Sequence, residues 1–312
     1  MIFETSTAAI LQKIDQIDPV AYGKSRNYVD GAVSHLSPYI SRGVLSTKLV
    51  FERLLVRGIP FSSMEKFVQE LAWRDYWQQL WIAKGTQINT DLKSEQLEVL
   101  HRAIPEAIVK GTTGIQLIDQ GIQILKDTGH IHNHMRMYLA SIACNIAKSH
   151  WKHPAEWMYY HLLDGDWASN ALSWQWVAGT NSNKKYYANQ DNINTFFYGS
   201  QKDSFLDVPY EAFENFSCPK NLSASTVVDF KTPLPASDEV SLLSDRPVLL
   251  YNYYNLDPFW RKDEVANRIL LLEPSVFEDH PVSEKCIDFV MQLSKNIPGI
   301  QVFVGEFENL AK

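Results

Sequence analysis

The chain has 312 residues, 45% of them hydrophobic, and a net charge of −7; this suits a globular protein with a full core and excludes a disordered chain. No apolar run approaches the roughly 20 residues of a membrane span, and MIFETSTAAILQKIDQ lacks a signal peptide's basic-then-apolar order. Three scattered cysteines (Cys144, Cys218, Cys286) form neither a disulfide framework nor a Cys-x-x-Cys metal pair, so a cytoplasmic location is expected.

The charge is uneven. Residues 1–200 hold 19 Lys+Arg against 18 Asp+Glu, a net of +1, whereas residues 201–312 hold 10 against 18, a net of −8. The first 200 residues also hold eight of nine histidines and eight of nine tryptophans. The acidity belongs to the tail and leaves the front free to meet a polyanion. Two domains are expected.

In chain order, Ser37-Pro38 before YISRGVLS reads as a helix start, a serine cap followed by proline at the first helical position. Helical periodicity then runs from Phe67 to Ile82, where Glu70, Trp73, Arg74 and Trp77 share one face. That face is either an ordinary amphipathic surface with a Glu-Arg pair or the wall of a polar-aromatic cavity. A second helix is expected from His132 to His150. Its His130, His132 and His134 invite a metal, but only the outer two share a helical face and no HExxH completes a site, so none is expected. Asn133 and Met137 lie one turn apart with Arg136 beside them.

Next comes DGDWASNALSWQWVAG, residues 164–179, with two aspartates, an asparagine and three tryptophans. Burying Asp164 and Asp166 among tryptophans is costly unless a cation or a ligand satisfies them, and Arg136 is a candidate cation. The plain alternative is a solvated loop backed by core tryptophans. Neither GxGxxG nor GxxxxGK is present. Residues 199–245, rich in Ser, Pro and Lys, read as a linker. PVLLYNYY and NRILLLEP are strand-like, VSEKCIDFVMQLSKNI is an amphipathic helix and IQVFVGEF a third strand, a parallel β-α-β order. ENLAK reads as the start of another helix, which implies an incomplete sheet and a fragment of a longer chain. The expected organisation is a helical domain over 1–198, a linker over 199–245 and a partial α/β module over 246–312.

GAVSHLSPYISRGVLS, ELAWRDYW, TGIQLIDQGIQILKDTGHIHNHMRMYLAS and LLDGDWASNALSWQWVAGT, in this order, resemble the helical FAD-binding domain of DNA photolyases and cryptochromes. The resemblance runs from about Tyr22 to Asn194. It implies a mainly α fold that binds FAD without a metal or a membrane. By analogy, Asp166 accepts from the flavin ring N–H, Asp164 pairs with Arg136 beside the ring, and Asn170 faces N5. Tyr22, Ser34, Leu36, Ser37, Arg74 and Asn133 complete the cofactor set, and a serine-capped helix start with an arginine suits a pyrophosphate.

The implied substrate is damaged DNA, a cyclobutane pyrimidine dimer flipped out of the duplex. Glu70, Trp73, Asn133, His134, Met137 and Trp176 occupy the dimer-binding positions: the tryptophans stack on the lesion, and Glu70 bonds the pyrimidine carbonyls and steadies their radical anion. An electron is expected to reach the flavin through Trp174 and Trp151, with Trp157 as the surface member although His153-Pro154 is expected to end the helix between them. The chain departs from the family in carrying His134 in place of an arginine and Lys184 and Lys185 after WQW, and the antenna domain that normally precedes this one is expected to be absent. The HxxxRH pattern of (6-4) enzymes is missing, which favours the cyclobutane substrate. The reading is a light-driven carbon-carbon lyase. The rival is a cryptochrome-like photoreceptor that signals through a protein partner.

Overall fold

The structure, a computed structural model, describes residues 3–310. The N-terminal region holds α1 (Thr7–Asp15), α2 (Pro19–Ser25), α3 (Ser37–Ser41), α4 (Thr47–Leu55) and the long α5 (Phe61–Lys84). A two-residue strand β1 (Ile104–Pro105) precedes α6 (Glu106–Lys110), α7 (Gln116–Thr128) and α8 (Asn133–Ser141). Helices α9 (Lys152–His161), α10 (Trp167–Ala178) and α11 (Gln190–Phe197) complete the helical region. After β2 (Ser225–Thr226) come β3 (Val248–Tyr251), β4 (Asn267–Leu272), α12 (Pro274–Asp279), α13 (Glu284–Ser294), β5 (Ile300–Val304) and α14 (Phe307–Leu310). The fold is mainly helical with a small parallel α/β module, as expected. ENLAK begins within α14, and its last two residues lie outside the described residues.

Side-chain caps mark several helix starts. Asp18 accepts from Val20 N and Ala21 N with Pro19 behind it, Ser46 accepts from Leu49 N, and Asn189 accepts from Asn192 N. α10 starts on Asp166, which accepts from Ser169 N, and ends on Gly179 at φ +85°, a left-handed position that favours glycine. The Ser37 cap is a correction. Leu36 holds the cap position of α3 without a side-chain bond, and Ser37 is already the first helical residue.

The helix expected from His132 to His150 is shorter. α8 passes into a π turn at Ile142–Ile146 and the chain then breaks, with Lys148 at φ +59°. Fully buried Asn145 accounts for this: its Nδ2 donates to Val177 O at 3.0 Å and Tyr186 O at 2.8 Å. Those long-range bonds outweigh continued α winding. His153-Pro154 does not end a helix either. Pro154 sits in the first turn of α9, where its missing N–H has no helical partner to lose.

Residues 199–245, expected as a linker, are packed against their neighbours. Leu206, Phe213 and Leu222 are buried, β2 pairs antiparallel with β1, and Asp238 N donates to Val302 O along the outer edge of β5. The sheet order is β3-β4-β5, all parallel, and every residue of the central β4 is buried. One apolar core runs through both the helices and the α/β module. Among the described residues no helix is long and apolar enough to cross a membrane.

The π turn yields a test. Asn145→Ala removes a buried donor shared by two carbonyls, and the expected loss is about 1–3 kcal/mol of stability, read by urea unfolding. A variant as stable as the parent would mean that Asn145 does not hold the break.

Candidate functional site

The loop Asp164-Gly165-Asp166 lies between α9 and α10, and four helices reach it. From α8, Arg136 Nη2 donates to both oxygens of Asp164, at 3.0 and 2.9 Å, while its Nε donates to Ile131 O at 3.1 Å. From α3, Ser41 Oγ donates to Asp164 O at 2.6 Å, and Arg42, just beyond the helix, donates to Gly165 O. From α5, Arg74 donates to Ser41 Oγ and Gln78 donates to Asp166 Oδ2. The second oxygen of Asp166 accepts from Ser169 N of α10 at 2.7 Å. Arg74 and Gln78 are one turn apart on α5, so one helix face serves both ends of the loop.

Both carboxylates are buried, and their environments differ. Burial alone would raise the Asp164 pKa, but Arg136, His130 and the Ser37 hydroxyl beside it hold it well below the usual carboxylate range. Among the described residues Asp166 has an amide side chain and a backbone N–H as donors rather than a cation. Beside it, buried Ser169 Oγ has no hydrogen-bond partner among the described residues.

α5 also carries two of the other expected residues, Glu70 and Trp73, and further ones lie on other segments. Trp73 is 49% exposed and stacks on Trp77 at 5.2 Å, and an open groove of about 420 Å³ is lined by Gln69, Ala72, Trp73 and Tyr76. Glu70 pairs with Arg26 at 3.6 Å and Lys66 at 3.4 Å. Tyr22 packs edge-on against Phe67, its hydroxyl pKa raised by burial and by Glu70. Trp176 is 43% exposed beside Tyr186. Asn133 is exposed and Met137 half-buried, one turn apart on α8. Ser34 Oγ accepts from Leu36 N at 3.4 Å, and Leu36 itself is buried.

Other expected residues fall elsewhere. His134 is buried, takes part in a hydrogen bond with Asn27 O at 3.0 Å through Nδ1 and packs on Tyr138 and Phe196, so it does not face a surface ligand. Trp157, expected at the surface, is 2% exposed against His161, because the uninterrupted α9 turns it into the core. Trp151 and Trp174 are also buried, and Trp151 Nε1 donates to Asp91 at 2.7 Å. Asn170 Nδ2 donates to Ala155 O at 2.9 Å. Ser41, Arg42, Gln78 and Ser169 were not expected from the sequence. Only Gln78 carried a signal, its spacing of four from Arg74.

Residues 67–204 match a family described as the FAD binding domain of DNA photolyase. The deoxyribodipyrimidine photo-lyase of Thermus thermophilus is 36% identical over 169 residues, 51% of this chain and 38% of that protein. That of Agrobacterium fabrum is 28% identical over 180 residues, 54% of this chain and 37% of that protein, so the chain spans well under half the length of these curated relatives. A cryptochrome from Synechocystis has a similar fold, with a TM-score of 0.55 at 22% identity over 63% of this chain and 44% of its own.

The half-buried histidine beside the loop gives a pH dependence. Burial holds His130 at about 4, against an ordinary value of about 6.5, so the folded state keeps it neutral while the unfolded chain takes up the proton. Its contribution to stability is present above that ordinary value and is lost as pH falls towards the folded one, with a slope of up to about 1.4 kcal/mol per pH unit. His130→Gln is expected to flatten the curve of stability against pH in that window. An unchanged slope in urea titrations would mean that His130 protonates freely in the folded protein.

Proposed function

We propose, from the match of residues 67–204 to the FAD binding domain of DNA photolyase, that the chain is a flavin-dependent, light-driven lyase that repairs cyclobutane pyrimidine dimers in DNA. The observation that carries the reading is the 164–166 loop, two buried carboxylates of which, among the described residues, only Asp164 has a cation. A buried acceptor held by neutral donors suits a neutral ligand edge of alternating N–H and C=O groups, such as the rim of a flavin ring. The unpartnered Ser169 Oγ next to Asp166 adds a group able to donate or accept. The donor set therefore fits the cofactor.

Asp166 serves as acceptor for a ring N–H, with Gln78 the side chain that yields or shares the bond. Arg136 keeps Asp164 ionised and the loop in place. Arg74 supplies a cation for the cofactor's phosphates, and Tyr22, Ser34, Leu36 and Ser37 are assigned to the same cofactor as neutral contacts. Asn133 and Asn170 are assigned to the same cofactor on the family resemblance. Once bound and reduced, the flavin supplies the light-excited electron that splits the dimer. Trp73 and Trp176, each nearly half exposed, offer stacking faces to the extruded bases, with Glu70 and Met137 assigned to the same substrate. Trp174 and Trp151 form the inner stretch of a route for electrons to the ring.

One observation favours a second reading. His134 is turned inward, and burial lowers its pKa, so it supplies no cation to a phosphate. A photoreceptor that signals without repair would need none. Illumination of the reduced protein with a dimer-containing oligonucleotide separates the two. The repair reading expects recovery of base absorbance, a drop in repair per photon for Glu70→Ala with flavin retained, and binding that weakens with salt. Equal binding of damaged and undamaged DNA without repair would transfer the assignment to the photoreceptor. Arg136→Ala strands a buried carboxylate, at a cost of about 3–5 kcal/mol, and is expected to lose the flavin. A colourless wild type that takes up no FAD would end both readings.

A further inference from the structure

Arg42 is fully buried, yet it has no carboxylate partner among the described residues. One nitrogen donates to Gly165 O, and Nε and Nη1 have no hydrogen-bond partner there. What faces the guanidinium instead is the α/β module. Its carbon lies 3.6 Å from the ring centre of Tyr253 and 5.0 Å from that of Tyr254. The backbone is interlocked at the same place. Leu256 N donates to Arg42 O at 2.9 Å, and a Cβ on Gly43, at φ +66°, would fall 2.3 Å from Tyr254 O.

Three consecutive residues therefore join two structures. Ser41 and Arg42 hold the backbone of Asp164 and Gly165, while Arg42 and Gly43 seat the 253–256 turn. A guanidinium out of water needs compensation, and here it comes from aromatic faces and one carbonyl. Without the aromatic faces, the side chain has reason to move towards water, and Gly165 loses its donor.

We propose that the α/β module is a working wall of the ligand loop, with Arg42 as the positioning residue that transmits module docking to Asp164–Asp166. Docking of the module and binding at the loop then stabilise each other, because a contact that orders one orders the other. The identity of the ligand rests on the flavin reading; the coupling does not.

The test uses the full chain with Tyr253→Phe and Tyr253→Leu. Hydrogen exchange of the peptide around 164–166 is followed without ligand, and FAD binding is titrated separately. Tyr253→Phe keeps the ring and is expected to match wild type. Tyr253→Leu is expected to speed loop exchange and weaken FAD, each by about tenfold. Should Tyr253→Leu not fold, Tyr254→Leu, which removes the more distant ring, is expected to act in the same direction with a smaller effect. Faster exchange confined to residues 246–310, with loop exchange and FAD affinity as in wild type, would overturn the coupling and leave only packing. If wild type binds no FAD, the flavin reading fails while the exchange comparison still decides the coupling.

Discussion

Asp164 sits where water scarcely reaches, and an isolated carboxylate there would take up a proton or prevent folding. Arg136 removes that penalty with two bonds from one nitrogen. The pair dictates where helices must be. α8 has to present Arg136 from beneath the loop, α3 brings Ser41 to the backbone carbonyl of the same aspartate, and α5 lies close enough for Arg74 to reach Ser41. Breaking such a pair costs far more than the pair contributes, because one buried charge is left behind. Its value here is positional: it anchors three residues against helices that are distant in the chain.

Asp166, the next carboxylate along the loop, has a different role. One oxygen caps α10 and orients the helix that carries Ser169, Asn170 and Trp174; the other meets a neutral amide. A neutral partner is exchangeable at modest cost, whereas the cation on Asp164 is not. The loop thus separates an anchor from an acceptor. Trp73 on α5 and Trp176 on α10 are each nearly half exposed, in contrast to this buried polar loop.

Much of this was legible in local pattern. The 3.6-residue period marked α5 and α13, the strand-like runs NRILLLEP and IQVFVGEF marked β4 and β5, and DGDWASN raised the question of a buried polar site. Errors arose where long-range contacts overrode local signals. Ser37 looks like a cap, yet it falls inside α3 with its hydroxyl beside Asp164. The run from His132 to His150 looks like one helix until Asn145 bonds carbonyls more than thirty residues away. Spacing from Trp151 places Trp157 at the surface, but α9, which Pro154 in its first turn does not break, carries it into the core. Arg42 was invisible because its partners, Tyr253 and Tyr254, belong to a segment with no periodic relation to it.

The most direct measurement is a crystal structure of the protein grown with FAD. A loop divided into anchor and acceptor predicts ring density against residues 164–166, with the ring edge bonded to Asp166 and the Arg136–Asp164 pair intact beside it. Density for the cofactor elsewhere, or Asp166 still bonded only to Gln78 and Ser169 with FAD present, would contradict it.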